Sequence, residues 1–437
     1  MSTRVMIGGT VAAALLSVPL IAVARGGVAG TVAVGEAVTV AEHAAGNPTA
    51  AADPRDGTGF VAWIATEGGV SNVLLARVGA DGRPGAAVRV NDRPGDAAPH
   101  EQAPAQVAVG PEGAVYLLWQ NNTKVPGRRF PASDLRFARS VDGGRTFSPA
   151  VTVNDDAGGI PSSHTFHDLS VAPDGTVWVS WIDSRRKDAA RAARPKPATP
   201  PDAAGHGHGH KHGMGDEDDL PPSEVRVAKS TDGGRTFGPS LVVDTAPCPC
   251  CRTTLAFGPD GAVYVGWRKE YGGDVRDVVV ARLGAGEAAF SAPVRVHQDA
   301  WVFPACPHTG PSLAVDALGR VHVGWYTGRE GRQGLWYARS DDGGRSFGAP
   351  VALVTGPDVP PSQVAVSADG DEVLAAWDDR AGQGGRRVAL ARITAEGRMV
   401  RMDGVQGRIP ALEAHRGGAL LAWHDRQAVR TARLQRR

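Results

Sequence analysis

The chain has 437 residues, 42% of them apolar and 21% charged, with a formal net charge of +1. That is ample apolar mass for a large core, and the near-neutral balance argues against nucleic acid as a partner. With 57 glycines, 32 prolines and only 6% aromatic residues, the composition favours many tight turns, and no stretch beyond the N-terminus keeps helical periodicity over three turns.

The chain opens with Arg4 before an apolar run from Val5 to Ala24, which ends Ala22-Val23-Ala24. This small-x-small ending reads as a secretory signal over residues 1–24. An uncleaved membrane anchor is the alternative, since the run approaches spanning length, but Gly8, Gly9 and Pro19 interrupt it. Both readings put the folded part outside the cytoplasm, periplasmic or secreted, with no further membrane segment expected.

Seven strand-like stretches then end in tryptophan: Trp63, Trp119, Trp181, Trp267, Trp325, Trp377 and Trp423. An Ala-Arg or Ala-Lys pair follows each, from Ala76-Arg77 to Ala432-Arg433. A period of about 50 residues built from short strands and Gly-rich turns is the mark of a propeller. The unit starting at Pro311 shows the grammar. Ser312 to Val315, a turn at Ala317 to Gly319, and Val321 to Trp325 make a hairpin; Gly334 to Arg339 and Ala349 to Val354 add two more strands. The expected fold is an all-β propeller of four-stranded antiparallel blades over 37–437, with seven blades favoured and six if one unit is degenerate. The last unit has three strands, and Ala37–Ala41 is expected to supply a fourth and close the ring.

Three of the turns between third and fourth strands share one sequence. They hold Ser140, Asp142, Gly144, Thr146 and Phe147; Ser230, Asp232, Gly234, Thr236 and Phe237; and Ser340, Asp342, Gly344, Ser346 and Phe347. The pattern is the Asp-box of the bacterial neuraminidase repeat, and the chain resembles the sialidase-like propeller superfamily over essentially all of 37–437. The box itself reads as a turn staple: Asp accepts local hydrogen bonds, Gly takes positive φ and the aromatic packs between strands. The resemblance would imply a carboxylate-gripping arginine triad, a Tyr nucleophile with a Glu partner, and an Asp acid/base. The first blade lacks the family's Arg-Ile-Pro strand; those letters occur at Arg408-Ile409-Pro410, in the last unit. Under a sialidase reading, Arg252 and Arg408 would grip the carboxylate, Asp168 or Asp183 would be the acid/base, and Tyr271, beside Glu270, or Tyr326 the nucleophile.

Antiparallel blades sort their loops, and the Asp-boxes belong to one face. The opposite face is expected to gather His164 and His167, Cys248, Cys250 and Cys251, and Cys306 with His308. It should also carry the Trp-x-Asp-x-Arg strand ends such as Trp181-Ile-Asp183-Ser-Arg185, read as Asp–Arg braces or sugar contacts. The longest insertion, 184–222, rises from this face as a disordered segment with His206, His208, His210 and His212 at alternate positions. Thiolates and imidazoles from neighbouring blades suit copper or zinc. For the cysteines of an exported chain, however, structural disulfides between the two loops are favoured over metal ligation, with Cys306 the favoured partner for Cys250 or Cys251, because adjacent cysteines pair only through a strained ring. The favoured reading is an exported ligand-binding module with a metal or disulfide site at the channel mouth. Its expected partners are a small ligand, glycan or metal ion, or another envelope protein. The alternatives are a sialidase-type glycoside hydrolase and a scaffold.

Overall fold

The structure, a computed structural model, describes residues 32–44, 46–128, 130–194, 220–379 and 386–436. The expected signal segment 1–24 and the tract from His206 to His212 lie outside the described residues.

Seven antiparallel sheets form a closed propeller, six of four strands and one of five. Each blade's second strand runs through the sheet centre and is apolar on both sides, because blades stack on both of its faces. All seven repeat tryptophans are therefore buried to 1% exposure or less. In the fifth blade the strands are Ser312–Val315, Val321–Thr327, Gly334–Ser340 and Val351–Thr355. The innermost strands are short, and their alternate side chains face the central channel.

The ring closes in the seventh blade, formed by Arg408–His415, Gly418–Asp425 and Ala428–Arg436. Two N-terminal strands, Val32–Val34 and Val38–Ala41, both pair with its last strand, Val32 opposite Arg436 and Val38 opposite Thr431. The expected closing strand is thus joined by a second one upstream.

The three Asp-boxes are near copies in space. Ser230 Oγ donates to Asp232 at 2.7 Å and accepts from Gly234 N at 2.9 Å, while Thr236 Oγ1 donates to Asp232 at 2.6 Å. These hydroxyl and backbone donors hold the Asp142 and Asp232 carboxyls well below the usual range, and Asp342 at about 2. Gly234 sits at φ +79° with Phe137 against its Cα, so no side chain fits there.

The insertion departs from its expected disorder where it begins. Arg185–Ala193 is a helix, docked on the second and third blades through Asp188, which accepts from Arg128 (3.3 Å) and Ser163 N (3.2 Å). Local charge contacts outweigh the weak helical periodicity of the segment. Among the described residues, no helix is long and apolar enough to cross a membrane.

Candidate functional site

The connection between the third and fourth blades carries Cys248-Pro249-Cys250-Cys251. Pro249 presets φ at the second position of a turn, and Cys251 N closes it on Cys248 O at 3.4 Å. First and fourth positions of such a turn face each other, so the Cys248 and Cys251 sulfurs lie 3.1 Å apart, with Cys248 and Cys250 at 3.7 Å. Phe166 and Ile182 pack on these thiols as a small apolar cluster.

The connection between the fourth and fifth blades brings Cys306 and His308 to the same place. Gly310 makes the approach possible: a Cβ there would lie 2.3 Å from Arg252 O. Arg268, 1% exposed, ties the two loops together. Its carbonyl accepts from Cys248 N at 2.7 Å, while its guanidinium donates to Thr309 O at 3.2 Å and Tyr326 O at 2.7 Å and lies over the Trp301 ring. Two groups of donor atoms result, each with all members within 4.8 Å of one another: Cys248, Cys250 and Cys251, and Cys250, Cys306 and His308. His100 adjoins them, its ring 6.4 Å from that of His308 and 5.2 Å from Phe166. Gln102 N donates to His100 Nδ1, leaving Nε2 to carry the proton, and burial pushes this imidazole's pKa down.

Burial pushes the Cys248 thiol up, but hydrogen bonds from Cys250 and Cys251 and the charges of Arg276 and Arg268 more than offset it, leaving it well below its ordinary value. The neighbouring sulfurs raise Cys250, while burial raises Cys251. The four cysteines are free thiols, and the Cys248 sulfur stands 3.7 Å from Cys250 and 3.1 Å from Cys251 against the about 2.05 Å of a disulfide bond, so the structure does not join the cysteines as the expected disulfides.

Two expected ligands point elsewhere. A bulge between Thr165 and Asp168, with Phe166 at φ +54°, breaks the strand alternation. His164 is consequently turned away from the thiols. Its Nδ1 meets Ser133 O at 2.7 Å and its Nε2 meets Asp156 at 3.0 Å, and these partners outweigh burial to raise its pKa. His167 Nε2 donates to Pro104 O at 3.0 Å, and burial drops its pKa to about 4. Neither belongs to the two donor groups among the described residues.

The hydrolase candidates scatter as well. Asp183 is 1% exposed, clamped as a brace by Trp181 Nε1 at 2.8 Å and Arg185 Nη2 at 2.8 Å. Tyr326 is buried and donates to Val359 O at 3.0 Å, because both faces of its strand are packed. Tyr271 lies under the Arg295 guanidinium at 3.9 Å on the outer part of the blade. Glu270 accepts from Arg276 at 3.1 Å, and burial raises its carboxyl. Arg252 and Arg408 line different cavities, of about 130 and 330 Å³. The bulge that puts Ile409 at φ +53° turns Arg408 away from the channel, so the carboxylate clamp does not assemble.

Below the mouth, the channel cavity is lined by Glu101, Gln106, Asp168, Arg252 and Gln363. Asp168 accepts from Leu255 N at 2.8 Å, and burial pushes its carboxyl up to about 6 despite the Arg252 charge. Glu413, on the innermost strand of the seventh blade, is raised to about 8 by burial and by the Asp168 and Asp369 charges. Neither Glu413 nor Arg268 stood out in the sequence. The alternation of Leu412-Glu413-Ala414 in an innermost strand was the available signal for the first.

No protein-family model and no curated protein matches the sequence. Solved structures do. A protein of unknown function from Dyadobacter fermentans aligns over 93% of this chain and 99% of its own, at TM-score 0.52 and 12% identity. An ulvan lyase, a polysaccharide lyase solved bound to -[GlcA(1-4)Rha3S]-, aligns over 92% and 96%, at 0.55 and 12%. A microbial sialidase aligns over 83% and 73%, at 0.48 and 12%. At such identities the likeness speaks to fold alone. The chain is a seven-bladed Asp-box propeller whose structural neighbours include polysaccharide lyases and sialidases.

Proposed function

We propose that this is an exported propeller that binds a soft metal ion, copper(I) or zinc, at its channel mouth. The observation that carries the reading is the convergence of Cys248, Cys250 and Cys251 with Cys306 and His308, from two separate inter-blade loops, into donor groups less than 4.8 Å across. Thiolates and imidazole are the donors such ions select. The buried Arg268 and Arg276 supply positive charge that favours the thiolate form, and the apolar cover of Phe166 and Ile182 limits access of water. The apolar leader supports an extracytoplasmic location.

The test is elemental analysis of protein purified reduced from a periplasm, paired with alkylation of its thiols. One or more equivalents of copper or zinc should co-purify, and the cysteines should resist alkylation until a chelator is added. Metal-free protein with freely reactive thiols, unable to take up either ion, overturns the reading.

A second reading rests on the polar channel. Arg252, facing Asp168 in a cavity with Gln106 and Gln363, suits a small acidic or hydroxyl-rich ligand such as a sugar. Turnover is not part of this reading, since the candidate acid/base and nucleophiles do not meet. A fluorogenic sialoside should be left uncleaved with or without added metal; hydrolysis abolished by Asp168→Ala would restore the hydrolase.

A further inference from the structure

The metal reading above treats the mouth as a single ligand set, but the geometry divides it. Donors on one ion can stand no farther apart than two bond lengths, about 4.6 Å for thiolates. Cys248, Cys250 and Cys251 lie within 4.8 Å of one another, close to that span, and so do Cys250, Cys306 and His308, yet the five donors do not merge into a single group. Only Cys250 belongs to both. Its sulfur lies 3.7 Å from Cys248 on one side and contacts Cys306 on the other.

We propose that the mouth holds two copper(I) ions bridged by the Cys250 thiolate. One ion takes Cys248, Cys250 and Cys251; the other takes Cys250, Cys306 and His308. A thiolate sulfur has lone pairs for two metals, and copper(I) is content with three soft ligands, whereas zinc would find each group one ligand short of its tetrahedron. No electron is transferred: each thiol gives its proton to solvent as it ligates. The two loops are rigidly related through Arg268 and the Gly310–Arg252 contact, so the second group is in place before either ion arrives.

This inference rests on the metal reading and can fail without it. The full chain, with His206, His208, His210 and His212 changed to Ala so that the tract takes no metal, is reduced and kept anaerobic. It is titrated with copper(I) against bicinchoninate, and the products are weighed by native mass spectrometry. Two ions per chain are expected. Cys306→Ser and His308→Ala should each lose one ion and keep the other, as should the Cys248→Ser/Cys251→Ser double variant. Cys250→Ser should weaken both, by about tenfold or more. Thermal melting of each metal-free variant separates lost ligands from lost folding. Copper–copper scattering in the X-ray absorption spectrum of the parent chain tests the bridge with no mouth ligand changed. A single ion per chain, or Cys250→Ser releasing one ion with the other untouched, overturns the bridged pair while leaving metal binding intact. No copper bound at all overturns the bridged pair, and failure to bind zinc as well in the same titration overturns the metal reading itself.

Discussion

Turns on the Asp-box face satisfy themselves: Ser230, Asp232, Gly234 and Thr236 bond one another within four residues of sequence. The mouth face is held by contacts that span the chain. Arg268 reaches Thr309 and Tyr326, Asp168 reaches Leu255, and Gln363 reaches His308 O at 2.9 Å. The first face repeats because each turn is a closed local unit, so a copy works in any blade. The second cannot repeat, since each contact depends on a particular neighbour. In a propeller, exceptions to the repeat are where a specific chemistry can be built.

That contrast can be broken or sharpened by substitution. The largest effect is expected from Arg268→Ala, which leaves the buried Thr309 and Tyr326 carbonyls without their donor and frees the Cys306–His308 loop. It should cost about 4 kcal/mol in denaturant unfolding and abolish metal uptake. Gly310→Ala forces the two loops apart, with an expected loss of about 2 kcal/mol and weakened metal binding at unchanged blade structure by circular dichroism. Ser230→Ala removes one turn's central hydroxyl; a loss of about 1 kcal/mol in stability with metal stoichiometry intact is expected, and any loss of metal would refute the separation of faces.

Glu413 offers a pH test inside the channel. Its carboxyl is raised from 4.5 to about 8, so folding favours its protonated form. That contribution is complete below pH 4.5 and disappears as pH rises through about 8. Glu413→Gln should therefore match the parent Tm at pH 5 and exceed it at pH 9, by a stabilisation on the order of 1 kcal/mol once channel water is allowed for. The smallest effect belongs to Tyr271→Phe, which keeps the ring under Arg295 and should leave stability, metal content and ligand binding unchanged in the same assays.

The ring and its blade count were legible because the tryptophan period and the Asp-boxes are local signals. The meeting of the Cys248–Cys251 segment with Cys306 and His308 was legible too, since both connections fall on the same face of the ring. The fates of His164 and His167 were not: a single bulge after Thr165 reverses which side each residue faces, and no residue type announces it. Asp183 and Tyr326 looked reactive by position at strand ends, but their burial is set by the neighbouring blade. Arg268 escaped notice because its guanidinium serves backbone carbonyls far off in the sequence, at Thr309 and Tyr326, which leave no mark in the letters.

The clasp of the seventh blade has a consequence for biogenesis. Val32–Val34 and Val38–Ala41 find their partner only in Ala428–Arg436, near the far end of the polypeptide. A nascent chain emerging from the ribosome therefore cannot lock its ring until that last strand appears, however well its earlier blades have formed. Such late locking makes Ala428–Arg436 the latch on which the ring's cooperativity hangs.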